Sequence, residues 1–339
     1  MTSRHKLTDI TPIFGLIVNS NSGKVKSGVY SKNYFEMIFK GRVLIRETRT
    51  LDELSQALKD FEKANIEILF SYGGDGTHQK VISEVISSKR QFPFIVPLKG
   101  GTMNMLVKDI GLGSSPIKIA EQIASIYDMF KDQTPAFEKP ILKVTVGNKQ
   151  PVYGFYFANG IIYKILNKYY QKPSSIANAL RVTVGGLLGS MFSKQSFSEC
   201  YHPIHCDIKL DGQDYPQKEF LGMMISTLNR VVFGMTPFLE KPDTKHQFQF
   251  MAYSFPKRDL YKNFIFLARG KKVKGPGVHA HAPEKLEITC DNGFVLDGEP
   301  YHITDTEKIT VEVADFLNIP DIVEGMNAMV LLKQGIATT

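Results

Sequence analysis

The first 135 residues alternate short apolar segments with segments of helical spacing. The apolar segments Ile13–Val18, Arg42–Arg46, Ile66–Ser71 and Phe94–Leu98 read as strands, and Leu51–Ala64 between the second and third carries apolar residues at helical spacing. Strands that alternate with helices pair in parallel and are covered on both faces. The pattern therefore predicts an α/β domain built on a parallel sheet.

The pattern changes after about Pro135, where most segments read as strands separated by Gly, Pro and Asp turns. Such a run is typical of an antiparallel β domain. The length of 339 residues suits two domains. We assign 12–135 to the α/β domain and 136–316 to the β domain, and for 317–339 a return to the first domain is one option.

Composition excludes several classes of protein. The chain has 41 Lys and Arg against 34 Asp and Glu, a formal net charge of +7, and 43% hydrophobic residues, which excludes wholesale disorder. Three cysteines without CxxC spacing indicate neither a disulfide framework nor a zinc ribbon. We read no secretory signal and no membrane-spanning run, so we expect a cytoplasmic protein. The small charge excess and the lack of a recognition motif argue against nucleic acid as a partner.

The sharpest motif is Gly73-Gly74-Asp75-Gly76-Thr77, between the third strand and a helix. Glycines keep side chains away from a ligand, and the amides that begin a helix can hold phosphate oxygens. An acid in the middle can reach a metal or a reacting hydroxyl. Neither the Walker pattern nor GxGxxG fits these residues.

Two further polar loops follow neighbouring strands: Asn19–Lys24 (NSNSGK) after the first, and Lys99–Asn104 (KGGTMN) after the fourth. The ends of adjacent parallel strands share one edge of a sheet, where ligands bind. Three such loops on one edge predict a nucleotide pocket.

A compact acidic turn, Leu296-Asp297-Gly298-Glu299-Pro300, lies far downstream in the β part. Near a phosphate or Mg²⁺, one of its carboxylates could hold the metal while the other takes a proton from an attacking hydroxyl. Taken alone, such a segment is more often an ordinary turn.

These motifs, in this order, resemble the diacylglycerol kinase catalytic domain, a family that includes bacterial lipid kinases and sphingosine kinases and has the NAD kinases as fold relatives. The resemblance implies a Rossmann-like nucleotide domain followed by a β-sandwich domain, with the active site in the cleft between them. It also implies ATP and Mg²⁺ as cofactors and transfer of the γ-phosphoryl group to a lipid hydroxyl, an activity of phospholipid metabolism.

The same resemblance implies the roles of individual residues. The catalytic candidates are Glu299 as general base, Asp297 as its acidic partner and Asp75; the opposite division of labour between Asp297 and Glu299 remains open. The metal candidates are Asp75, directly or through a water, and Asp297. The nucleotide-binding candidates are Asn19, Ser22, Gly23, Thr48, Gly73, Gly74, Gly76, Thr77, Gly101 and Thr102.

Two positions depart from the family pattern. Gln79-Lys80 stands where the family usually carries Asn-Glu or His-Glu, and Met105 stands where many members carry Asp. An NAD kinase-like soluble enzyme and a catalytically weak nucleotide- or lipid-binding protein therefore remain alternatives.

The remaining expectations concern partners. Part of the apolar stretch 161–192 is a candidate lipid-facing segment, although core packing is the first explanation of any apolar stripe. The basic run Lys271-Lys272-Val273-Lys274 could touch anionic headgroups. We expect peripheral association with a membrane surface, and a homodimer is compatible with the family. His202, His205, His279 and His281 are interpreted as surface or packed imidazoles.

Overall fold

The computed structural model describes residues 11–22, 32–101, 103–170, 200–231, 234–256, 259, 263, 266, 271–304 and 307–334. Gly23, Thr102 and the segment 171–199, which includes most of the apolar stretch, lie outside the described residues. The chain forms two compact units. The first comprises the residues up to Lys139 and those from Leu317 onward, and the second comprises Pro140–Phe316.

The first unit contains a four-stranded sheet in the order β2-β1-β3-β4, with all strands parallel. Its strands are β1 (Phe14–Asn19), β2 (Val43–Thr48), β3 (Ile68–Gly73) and β4 (Phe94–Lys99). β1, β3 and β4 are buried along nearly their whole length, as expected of a parallel sheet covered on both faces. The register sets Asn19 beside Thr48 and Gly73 beside Lys99, so the carboxyl ends form one level edge.

Helices connect and cover these strands. Thr50 and Glu53 form a capping box at the start of the helix Leu51–Lys63, which satisfies backbone amides that a helix leaves without partners. The C-terminal helix packs on the helix Pro116–Phe130, where Ile126 lies against Gly325. The helices of this unit are α1 (Lys32–Ile38), α2 (Leu51–Lys63), α3 (Asp75–Ser87), α4 (Met105–Asp109), α5 (Pro116–Phe130) and α7 (Ile322–Lys333).

The second unit is built mainly from two antiparallel sheets and carries α6 (Ile161–Tyr170). The strands are β5 (Ala136–Val146), β6 (Val152–Gly154), β7 (Tyr156–Asn159), β8 (Ile204–Leu210), β9 (Gln213–Asp214), β10 (Glu219–Phe220), β11 (Gly222–Ser226), β12 (Gln249–Tyr253), β13 (Val278–His281), β14 (Lys285–Cys290), β15 (Phe294–Leu296), β16 (Glu299–Tyr301) and β17 (Lys308–Pro320). The larger sheet has the order β10-β8-β14-β17-β5-β6, with β9 beside β8, and the smaller has the order β13-β12-β11-β7-β15-β16.

Apolar side chains from both sheets form one core in this unit, as in a β-sandwich. Ile208 and Ile288 come from the larger sheet, and Phe157, Phe250 and Phe294 from the smaller. The predicted fold class, an α/β domain with a parallel sheet followed by an antiparallel β domain, is confirmed.

Two continuous apolar segments of this unit are each divided into two strands. The segment 152–158 splits at Phe155 into β6 and β7, and the segment 220–227 splits at Leu221 into β10 and β11. In both cases the two halves belong to different sheets. Apolar patterning cannot reveal such a crossing, because the residues on either side of it are equally buried.

No helix among the described residues has the length and apolar character that crossing a bilayer requires.

Candidate functional site

Three loops are joined by hydrogen bonds at the carboxyl edge of the parallel sheet. Asn19 Nδ2 donates to Thr77 Oγ1 over 2.8 Å, which links the end of β1 to the first turn of α3. Ser22 Oγ donates to the carbonyl of Gly100 over 2.8 Å, and the amide of Gly100 donates to the carbonyl of Gly73 over 2.6 Å. The loops that the sequence places on one edge therefore form one connected structure.

The paired glycines of the second and third loops are packed backbone against backbone. A Cβ atom on Gly101 would lie 2.5 Å from the Cα of Gly74, and one on Gly100 would lie 2.9 Å from the Cα of Gly73. Real Cβ atoms do not approach other atoms so closely, so these positions require glycine. The sequence motif alone suggests that these residues are glycines because a ligand needs access to the backbone. The structure adds a second reason, the close approach of the two loops.

The GGDGT motif ends a buried strand and begins a helix of 13 residues. Gly74 is the N-cap and supplies no side-chain cap, while its carbonyl accepts hydrogen bonds from the amides of Thr77 and His78. The positive end of the helix dipole therefore faces the loop edge. A helix that starts at a glycine loop is a common anion site in nucleotide-binding folds.

The carboxylate of Asp75 is directed toward the third loop. Its Oδ1 accepts a hydrogen bond of 2.6 Å from the amide of Met105, the first residue of α4. Burial raises the pKa of Asp75, and hydrogen bonds from the backbone amides of Met105, Asn104 and Leu106 act in the opposite direction. Asp75 thus links the GGDGT loop to α4, besides any contact with a ligand.

Asn104 was not among the predicted site residues, although it closes the third loop. It is fully buried and has a φ of 50°, and its side chain forms a reciprocal pair with Gly101. The amide of Gly101 donates to Asn104 Oδ1 over 3.0 Å, and Asn104 Nδ2 donates to the carbonyl of Gly101 over 2.7 Å. The tolerance of asparagine for left-handed backbone was the available signal.

His78 and Ser71 form a second pair that sequence reasoning missed, beneath the GGDGT loop. Ser71 Oγ lies 3.0 Å from His78 Nδ1, and both side chains are buried. Burial lowers the pKa of His78 to about 3, so the imidazole is neutral at pH 7. Its Nε2 is buried without a hydrogen-bond partner.

Thr48 is buried at the end of β2, directly beside Asn19. The two departures from the family pattern differ in their surroundings: Lys80 is exposed on α3, whereas Met105 is buried at the start of α4. The preceding Gln79 is buried and donates to Ser83 Oγ over 3.3 Å.

In the second unit, Asp297 and Gly298 form the turn of the β15–β16 hairpin. Their φ angles are 48° and 94°, as a two-residue type I′ turn requires. The Asp297 carboxylate is buried and accepts hydrogen bonds from the amides of Phe155, at 3.0 and 3.2 Å, and Tyr156, at 2.9 Å. It therefore fixes the chain at the point where β6 passes into β7.

Glu299 is partly buried at the start of the edge strand β16. The register sets it opposite Leu296, so the two side chains share a face of the sheet. Asp297 and Glu299 therefore have different surroundings, although they stand two residues apart.

No three side chains of His, Cys, Asp or Glu converge on a metal-binding arrangement anywhere in the described ranges. The predicted nucleotide-binding residues of the first unit that the structure describes lie along one sheet edge, and Asp297 and Glu299 lie in the second unit.

Residues 14–129 match the sequence model of the diacylglycerol kinase catalytic domain. The resemblance inferred from the motifs is confirmed for this segment. It contains all three loops and every nucleotide-binding candidate, whereas Asp297 and Glu299 lie beyond it.

Three solved structures show the same fold at low sequence identity. A diacylglycerol kinase from Bacillus anthracis str. Sterne is 15% identical with a TM-score of 0.58, over 90% of this chain and 95% of that one. An NAD kinase from Archaeoglobus fulgidus in complex with ATP is 14% identical with a TM-score of 0.50, over 96% and 100%. Yeast NADH kinase complexed with NADH is 11% identical with a TM-score of 0.50, over 98% and 91%.

No curated protein matches the chain. The match over residues 14–129 nevertheless supports a phosphotransferase.

Proposed function

We propose that this protein is an ATP-dependent lipid kinase that transfers the γ-phosphoryl group to a lipid hydroxyl. The observation that carries the proposal is the glycine-lined edge formed by the loops after β1, β3 and β4, within a segment that matches the diacylglycerol kinase catalytic domain. Such an edge suits the phosphates of a nucleotide.

The first unit fits ATP on structural grounds. The tight contact between Gly74 and Gly101 keeps side chains off the loop edge, and Gly74 leaves the start of α3 without a side-chain cap. We propose that Gly73, Gly74, Gly76 and Thr77 hold the phosphates, with Gly101 and Thr102 on the other side. Asn19, Ser22, Gly23 and Thr48 are proposed to contact the rest of the nucleotide.

We assign the general-base role to Glu299 and a positioning role to Asp297. The backbone amides of Phe155 and Tyr156 together form three hydrogen bonds to the Asp297 carboxylate. A carboxylate that already accepts such hydrogen bonds is a poor proton acceptor. Glu299 would accept the proton of the lipid hydroxyl as its oxygen bonds to the γ-phosphorus and ADP departs. Positioning and charge neutralisation provide most of the acceleration in such transfers.

Mg²⁺, when bound with ATP, would neutralise charge on the phosphate oxygens. No group of three metal-binding side chains converges among the described residues. Asp75 and Asp297 each accept backbone hydrogen bonds within their own units. Mg²⁺ commonly keeps several waters and relies on substrate phosphates and one or two carboxylates. Asp75, directly or through a water, is the first-unit candidate.

The lipid acceptor, with diacylglycerol as the first choice, is proposed from the domain match and the late acidic hairpin. We further propose a cytoplasmic enzyme that associates peripherally with membranes. Lys271, Lys272 and Lys274 are exposed and could meet anionic headgroups. We also propose a homodimer, from the resemblance to the kinase family.

The NAD kinase neighbours favour a second candidate, a kinase that acts on NAD. The two candidates share the nucleotide edge and differ in the acceptor.

The decisive experiment incubates the pure protein with γ-labelled ATP and Mg²⁺ in parallel reactions with mixed lipid vesicles, NAD or no acceptor. Label in the organic phase would support a lipid kinase, and chromatography of that phase would identify the acceptor. Label on NAD would support the second candidate. ATP binding without transfer to either would contradict both and favour a binding protein.

Glu299→Gln tests whether the observed transfer is catalysed by this protein. Glu284→Gln, at an exposed position of the same unit, is the matched control. Transfer that is lost in the first variant and kept in the second would exclude a contaminating kinase.

A further inference from the structure

The HAHAP segment forms a polar cluster that the proposed reaction does not use. His279 and His281 alternate on β13, so both imidazoles lie on one face of the strand. That face meets Tyr215, which follows β9 at the edge of the larger sheet. Sequence reasoning interpreted these histidines as solvated or packed, whereas the structure makes them converge on one phenol.

The converging atoms are close together. Tyr215 Oη lies 3.0 Å from His279 Nδ1 and 3.2 Å from His281 Nε2. Zinc binds nitrogen and oxygen ligands at about 2.0–2.2 Å, so ligand pairs separated by 3.0–3.2 Å subtend roughly 90–105° at the ion. These angles suit a four- to six-coordinate ion after a small adjustment of the three side chains.

A neighbouring hydroxyl orients one of the imidazoles. Ser254 Oγ lies 2.7 Å from His279 Nε2. When Nε2 carries the hydrogen and donates it to Ser254, the lone pair on Nδ1 faces Tyr215. Metal-binding histidines usually have such a partner on the second nitrogen, because it fixes the tautomer and the direction of the ring.

Aromatic rings flank the cluster. Phe220 meets His279 and Phe250 meets His281. His281 is itself exposed, which gives an ion access from solvent. An apolar wall on one side and an open approach on the other are common features of metal sites in proteins.

We propose that His279, His281 and Tyr215 form a binding site for one late first-row divalent ion, zinc or copper, that links the edge strands of the two sheets in the second unit. Imidazole suits such ions, and the phenolate oxygen with water would complete the ligand set. Binding replaces the phenol hydrogen bonds with three metal–ligand bonds, and the phenol proton is released to the buffer. The site is independent of the proposed kinase reaction.

The test uses the full chain after chelator treatment and titrates Zn²⁺ alone by isothermal calorimetry in two buffers of different ionisation enthalpy. We expect one equivalent to bind with release of a proton, and the melting temperature to rise with free Zn²⁺. His281→Gln should weaken binding at least tenfold. Because His281 is exposed, this variant should fold normally.

Two further variants define the ligand set. Tyr215→Phe removes only the oxygen and should abolish proton release, and with Cu²⁺ as probe it should remove the phenolate-to-copper absorption band. The control is His205→Gln, which changes an exposed imidazole beside Glu219 and should bind Zn²⁺ like the parent. Absence of saturable uptake, or uptake that His281→Gln leaves unchanged, would overturn the proposal.

Discussion

Gly74 and Gly101 lie so close that a Cβ atom on Gly101 would be 2.5 Å from the Cα of Gly74. The contact joins the loop after β3 to the loop after β4 and brings together the two segments that we propose to surround the phosphates of ATP. It explains why both loops carry paired glycines, and it makes the spacing of the loops sensitive to a single methyl group.

Gly101→Ala should therefore separate the loops. We expect the free energy of unfolding to fall by about 1–3 kcal/mol, as for overpacked interiors, and the affinity for ATP to fall at least tenfold. Thermal unfolding and nucleotide titration measure the two effects. Gly113→Ala is the control, because its Cβ would meet nothing closer than 4.0 Å. Equal stability and equal ATP affinity in the two variants would show that the contact between the loops does not shape the site.

Asp75→Asn should abolish phosphoryl transfer while the fold persists. Asparagine keeps an oxygen that can accept the 2.6 Å hydrogen bond from the amide of Met105, while the negative charge is lost. Asp75→Ala removes the acceptor as well and should also destabilise the protein by about 1–3 kcal/mol. Turnover and thermal unfolding of both variants separate the two roles, and an Asp75→Asn enzyme with full turnover would refute a catalytic role.

Glu299→Gln should mainly affect turnover, whereas Asp297→Asn should mainly affect stability. The first should lower kcat by roughly 10²–10⁴ with little change in ATP affinity or stability, as expected when a general base is lost. The second places an amide group against the backbone amides of Phe155 and Tyr156 and should lower the unfolding free energy by about 1–3 kcal/mol. A stable Asp297→Asn variant with greatly reduced kcat would instead favour Asp297 as the base.

His78 should make the protein sensitive to acid. Its pKa is about 3 in the folded state and 6.5 as the ordinary value, so the unfolded chain binds a proton that the folded chain rejects. The stabilisation is complete above pH 6.5 and is lost as the pH falls toward 3, with a total of about 4–5 kcal/mol from this group.

His78→Leu should flatten this part of the stability profile. Chemical denaturation between pH 4 and pH 7 provides the measurement, and the exposed His202→Gln is the control. If the unfolding free energy of His78→Leu depends on pH as steeply as that of the parent, His78 is not the group that causes the acid sensitivity.

The sequence predicted the local elements of the first unit well. Leu54, Leu58 and Phe61 lie at helical spacing in α2, and the predicted strands overlap the observed ones to within a few residues. Parallel strands are apolar along their whole length and end at glycine or polar loops, so their order of appearance and their carboxyl ends can be read from the pattern.

The sequence predicted less of the second unit. The crossings at Phe155 and Leu221 went unnoticed, since buried residues on both sides of a crossing look alike in sequence. The Asp297-Gly298 turn was visible as a turn, but its carboxylate contacts residues 141 and 142 positions away, Tyr156 and Phe155. No local pattern encodes such a distance.

By itself the sequence determined the fold class, the three loops at one sheet edge and the resemblance to a kinase family, because these depend on periodicity and on the order of short motifs. Tertiary structure alone decided which polar groups meet: Asp75 with Met105, and Tyr215 with His279 and His281. These contacts depend on how distant segments pack, and packing follows from the whole fold rather than from neighbouring residues.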